Sequence, residues 1–168
     1  MTKRRVFYSF HYKDVMRVAQ IRNIGAIEDN KPVSENEWEE VKNKGKAAIE
    51  EWIDANMNYR SCVIVLVGEE TAQREWVKYE IKKAWEDGKG LLGIYIHNIK
   101  DPSQCRLGRS GKCNKGDNPF EQFYLDKIKL SNIVKCYNPD CRDAYNDIKD
   151  NLENWIEEAI EIRNQYLK

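Results

Sequence analysis

The chain has 168 residues, enough for one domain with a sizeable core, and its 28 Lys+Arg balance 28 Asp+Glu to a formal net charge of zero. At 41% hydrophobic and 33% charged it is globular in composition, not disordered. Balanced charge gives no ground for expecting nucleic acid or an acidic membrane as a partner, and no apolar run approaches the roughly 18 residues of a membrane span.

Met1-Thr2-Lys3-Arg4-Arg5 leads into Val6-Phe7-Tyr8-Ser9-Phe10, a run too short and too aromatic for a signal peptide. The five cysteines are odd in number, and Cys62 sits inside a strand-like run. Reduced thiols in a cytoplasmic protein are the economical reading. The spacings Cys105…Cys113 and Cys136…Cys141 do not match a paired C-x2-C ribbon, so no metal site is expected.

Val6 to Phe10 reads as a strand buried on both faces. His11-Tyr12-Lys13-Asp14 is a loop, with Asp14 as the expected N-cap of a helix running to Asn23. Ile24 to Ile27 is a short second strand, and Asp29-Asn30-Lys31-Pro32 a turn. Ser34-Glu35-Asn36-Glu37 resembles a capping box. The helix it opens would carry Trp38, Val41, Gly45, Ala48, Ile49, Trp52 and Ile53, and end near Asn56 to Asn58.

Ser61 to Val67 is the central strand, with Val63 to Val67 consecutive, apolar and mostly β-branched. After the loop Gly68 to Arg74, a helix runs to about Asp87 with Gly88 past its end. Leu91 to Ile96 is another buried strand. Residues 97 to 120 form a long irregular segment, Asn132 to Tyr137 a last strand, and Arg142 to Tyr166 an amphipathic helix. About five strand–helix alternations predict a flavodoxin-like, doubly wound, mostly parallel five-stranded sheet with helices on both faces. Ligands of such sheets bind beyond the carboxyl ends of the strands, at the switch point beside the first strand.

Several chemistries fail there on residues. The loop after the first strand lacks a Gly- and hydroxyl-rich phosphate cradle, which disfavours flavin. The central strand ends Leu66-Val67-Gly68 with no Asp for a receiver-type phosphorylation. No G-x-G-x-x-G follows the first strand, and Gly108-Arg109-Ser110-Gly111-Lys112 has the wrong spacing and context for a P-loop. No G-x-S-x-G elbow exists, and only His11 and His97 could serve as a base. Glu80 remains. Its helical phase puts it at the flank of the apolar stripe of Val77, Ile81 and Ala84, one turn from Trp76. That phase fits either a solvated helix carboxylate or one aimed into a cleft.

Three stretches carry a resemblance: Val6-Phe7-Tyr8-Ser9-Phe10-His11-Tyr12 with Asp14; Trp76-Val77-Lys78-Tyr79-Glu80-Ile81; and Lys115-Gly116-Asp117-Asn118-Pro119-Phe120. Together they resemble the TIR-like ThsB family of the Thoeris anti-phage system, from the first strand to about Phe120. The resemblance implies one TIR-like domain over residues 1–168 that cleaves NAD at the nicotinamide–ribose bond and makes a cyclic ADP-ribose-type signal. NAD would be substrate, with no resident cofactor. Glu80 takes the place of the catalytic glutamate, and Ser9, Phe10, His11, Trp76 and Asn118 are the candidate nucleotide-binding residues. It further implies a separate effector, ThsA, reading a diffusible nucleotide, a phage trigger, and self-association on activation. The competing expectation is a non-catalytic TIR-like assembly module.

Overall fold

Cys62–Val67 forms the centre of the sheet (β3), buried at every position, in a computed structural model that describes residues 3–24, 27–28, 40–105 and 110–166. Arg4–Phe10 (β1) and Gly90–Tyr95 (β4) flank it. Ile27–Glu28 (β2) pairs outside β1, and Cys136–Tyr137 (β7) outside β4. The order is thus β2-β1-β3-β4-β7, with every pairing parallel. The direction of strand addition reverses between β1 and β3, which opens the switch-point crevice at their carboxyl ends.

Helices cover both faces, as an all-apolar central strand requires. Along β3, Ile64 and Leu66 join Val6 of β1 and Leu92 and Ile94 of β4 on one side. There they meet Val18 and Ile21 of α1 (Val15–Arg22) and Ile148, Leu152 and Ile156 of α4 (Ala144–Asn164). Val63, Val65 and Val67 point to the other side. They meet Ile49, Ile53 and Met57 of α2 (Lys46–Met57) and Val77, Ile81 and Ala84 of α3 (Glu75–Glu86). Side chains alternate across a strand, so one strand feeds two cores. Among the described residues no helix is long and apolar enough to cross a membrane.

The predicted elements hold with four corrections. The second strand, expected from Ile24 to Ile27, is Ile27–Glu28, and Ile24 lies outside it. The helix expected from Ser34 through Asn56 is broken: residues 40–43 are helical, the chain turns at Lys44, and α2 restarts at Lys46. Gly45 makes the break with φ +100°, a conformation side-chain-bearing residues rarely adopt. The last strand shrinks to β7, because Leu130–Asn132 coils into a 3-10 turn. Just before it a two-stranded antiparallel hairpin, β5 (Tyr124–Leu125) with β6 (Ile128–Lys129), stands outside the sheet and was not expected. The turn at Asp29 to Pro32, the capping box Ser34 to Glu37, and Trp38 lie outside the described residues.

Candidate active site

Glu80 enters the protein because of its place on α3. It follows Val77 by three residues and precedes Ala84 by four, so the turn that buries those two draws its carboxyl inward. The residue is 8% exposed. Ser9, on β1, is fully buried. Tyr8 and Phe10 pack against the α1–α4 core, so the strand's alternation turns Ser9 toward α3. The two polar groups meet at the wall of an otherwise apolar face.

Burial pushes the Glu80 carboxyl from an ordinary 4.5 up to about 8, and the Ser9 hydroxyl pulls the other way. Ser9 Oγ is nonetheless without a partner in good hydrogen-bond geometry. It lies near enough to favour the carboxylate but does not saturate it. Among the described residues no charged group acts on Glu80, and it makes no ion pair.

Three loops stack above this wall at the carboxyl edge. A Cβ on Gly68, just past β3, would fall 1.9 Å from the Asp14 carboxyl, and one on Gly116 would fall 2.0 Å from Gly68 O. Neither position has room for a side chain, so glycine permits the stack. Thr71 Oγ1 accepts from Gly68 N at 2.8 Å and fixes the middle loop. Above it, Gln73 Nε2 donates to Asp117 (3.1 Å), and Gln122 Nε2 donates to Ala72 O (2.8 Å). The segment between those tethers holds Asn118, whose Oδ1 accepts from Phe120 N at 2.9 Å and caps the turn Pro119–Gln122.

Asp14 departs from expectation. Its side chain makes no helix-capping bond. Instead it accepts from Arg17 at 2.8 Å, in an ion pair where Arg17 is 1% exposed. Burial still raises the Asp14 carboxyl, with Arg17 opposing. The same guanidinium donates to Ile99 O (2.9 Å), Gly111 O (2.8 Å) and Gln104 Oε1 (3.1 Å). One buried cation therefore ties α1 to the long segment at Ile99, Gln104 and Gly111. An Asp–Arg pair at i,i+3 in a helix's first turn was the signal for it. Capping preference outweighed it because both readings use the same residue.

Of the remaining candidates, His11 stands at the edge. Its Nδ1 accepts from Lys13 N at 3.1 Å, and its Nε2 faces Glu70 at 3.8 Å. Burial, then the charge of Arg74, lowers its pKa, so the ring is neutral at neutral pH. Phe10 ends β1 on the face opposite Ser9, half-buried against the α1–α4 core. Trp76 packs edge-on to Tyr79, 5.9 Å between centroids, and Tyr79 donates to Asp54 at 2.8 Å. Trp76 thus joins α3 to the α2 side. A cavity of about 750 Å³ opens beside the stacked loops, lined by Lys13, Asp14, Arg17, Glu70, Lys112 and Cys113 among others, but not by Glu80 or Ser9. Two ion pairs lie within it, Lys13 with Glu70 at 3.2 Å and Arg17 with Asp14, while Lys112 Nζ donates to the backbone carbonyl of Cys141 at 2.7 Å.

Residues 7–101 match the family model described as Thoeris protein ThsB, TIR-like domain. The first two motifs, apart from Val6, fall inside that match, and the third, with Asn118, lies beyond it. A relative from Bacillus cereus (strain MSX-D12), ThsB1, named as a candidate cyclic ADP-D-ribose synthase, is 36% identical over 124 residues. The alignment covers 70% of this chain and 62% of that relative's length. With more than half its residues matched by the family model, the chain belongs to the TIR-like domain family of the Thoeris protein ThsB.

Proposed function

We propose that this chain is a cytoplasmic, single-domain TIR-like enzyme of anti-phage defence. It breaks the nicotinamide–ribose bond of NAD and closes the remaining nucleotide into a cyclic ADP-ribose-type signal. The observation that carries this reading is a buried carboxyl, Glu80, set beside a buried hydroxyl at the sheet's switch point. The name borne by the Bacillus cereus relative supports it.

The chemistry needs little else. Nicotinamide leaves as a neutral base, so no acid has to protonate it and no Lewis acid has to activate it. Positive charge gathers on the ribose at C1′ and its ring oxygen, and an anion held beside it lowers the barrier. Glu80 supplies that anion. The Ser9 hydroxyl, Phe10 and neutral His11 offer contacts at the end of β1, with Trp76 at the start of α3 and Asn118 from the overlying segment. Attack by a second hydroxyl of the same molecule closes the ring, provided the substrate folds back and water is kept out. The product then diffuses to a separate effector, ThsA, and a phage trigger or self-association turns the enzyme on.

A scaffold has no use for a buried, unpaired acid, so the assembly-module reading leaves Glu80 unexplained. The test is nicotinamide release from NAD by the purified protein and by lysate of phage-infected cells. Glu80→Gln keeps shape and loses charge. It is expected to fold and to lose activity by at least about a hundredfold. Wild-type protein that stays silent even in infected lysate sinks the enzyme reading.

A further inference from the structure

Among the described residues Glu80 has no counter-charge. From β1 it faces only the neutral Ser9 hydroxyl, and the β3 residues on that side are Val63, Val65 and Val67. On α2, Asp54 is bound by the Tyr79 hydroxyl, and neither it nor Glu50 acts on Glu80. On α3 itself, Lys78, Lys82 and Lys83 are not buried, and neither they nor His11 and Arg74 on the adjoining loops act on Glu80. Ser9 Oγ, fully buried, is left without a partner in bonding geometry. A carboxyl in such a place is neutral until something positive arrives.

Resting on the NAD-cleaving reading above, we propose that the pyridinium charge of the oxidised dinucleotide is the missing counter-charge for Glu80. Binding ionises the acid, and the site thereby selects the oxidised dinucleotide over the reduced one. NADH carries the same nucleotide, but its dihydronicotinamide ring is uncharged and gives Glu80 nothing to pair with.

The proton account closes. NAD binds, and the Glu80 carboxyl releases one proton to solvent. The C1′–N bond breaks with its electron pair on nicotinamide, which leaves neutral, and the positive charge passes to C1′ beside the Glu80 carboxylate. A hydroxyl oxygen forms the new C1′–O bond, and its proton returns the carboxylate to the acid. The sum is cyclised nucleotide, nicotinamide and one proton, with no redox change.

The test is rapid mixing of protein with NAD at pH 7 in weak buffer with an indicator dye, with nicotinamide followed in parallel. The expected result is close to one proton per site in the binding phase, before nicotinamide appears, and none on mixing with NADH. Equilibrium affinity for NAD falls toward tenfold per pH unit below about pH 8, whereas affinity for NADH stays flat. Glu80→Gln abolishes the proton release and brings the two affinities together. Ser9→Ala, which removes the group favouring the carboxylate, moves the pH midpoint for NAD upward. Proton appearing only together with nicotinamide, or NADH binding as tightly as NAD with the same pH profile, overturns the inference. Nicotinamide release would still stand as proof of the enzyme. Conversely, if no nicotinamide forms, the two affinity profiles still decide whether Glu80 reads the charge.

Discussion

A carboxyl buried beside an unsaturated hydroxyl, without a cation to pair with, weakens the fold at neutral pH, and Glu80 is such a group among the described residues. Its folded pKa lies above its unfolded one, about 8 against 4.5. The stability tied to the neutral acid is therefore fully present below pH 4.5 and is lost as pH rises toward 8. Each pH unit in that window removes on the order of 1.4 kcal/mol. Glu80→Gln, which cannot ionise, should raise stability at pH 7 by as much as about 3 kcal/mol and flatten its pH dependence. Urea unfolding of both proteins at pH 5 and pH 7 checks this. A variant no more stable than wild type at pH 7 would mean that the carboxyl reaches water. Helical phase showed that Glu80 sits at the stripe's edge but could not say which way it turns. The answer depends on Ser9, whose outward neighbours Tyr8 and Phe10 are committed to the other core.

Among the elements, those read correctly from sequence are the ones that bury long apolar runs. β3 and β4 are apolar throughout, and α3 and α4 repeat apolar residues at helical spacing. What escaped is built from two or three residues, too few for periodicity to register: the β5–β6 hairpin, the shortened β7, and the turn at Leu130–Asn132. The break at Gly45 escaped because a glycine is tolerated within a helical pattern as well as at its end. The Arg17 clamp is the largest omission. Its carbonyl partners lie 82 and 94 residues away, and nothing local marks them. A buried pair broken on one side leaves an uncompensated charge, so Arg17→Met should destabilise the protein by about 3–5 kcal/mol. Adding Asp14→Asn to that variant should recover part of the loss. Hydrogen exchange adds a local reading. The amides of Asp101 and Cys113, bonded to Gly111 O and His97 O, should lose protection in Arg17→Met ahead of β3. Unchanged protection there would show that the long loop holds itself.

Over the whole molecule the sheet separates two cores with different duties. The α1–α4 core contains no candidate site residue except the half-buried Phe10, and α4 is fastened at its middle and at its C-terminal end. Trp155 stacks on Tyr137 of β7 at 4.3 Å, while Arg163 donates to Trp85 O at 3.0 and 2.8 Å and lies over its ring. Those two donations meet the carbonyl end of α3, where positive charge is favoured. The other core carries Glu80 on the same helix as Val77 and Ile81. Cavities of similar size should therefore act differently on the two sides. Leu152→Ala, in a fully buried position of α4, should lower stability by about 2–5 kcal/mol. Below its melting temperature it should keep nicotinamide release close to wild type. Ile81→Ala, one residue from Glu80 and fully buried, should lose comparable stability and also activity, because α3 can then settle into the void and carry the carboxyl away from Ser9. Melting curves paired with turnover at one temperature separate the effects. If Leu152→Ala loses as much activity as Ile81→Ala at equal fractions folded, the two faces are mechanically coupled through β3, and the sheet is not the partition its alternating side chains make it.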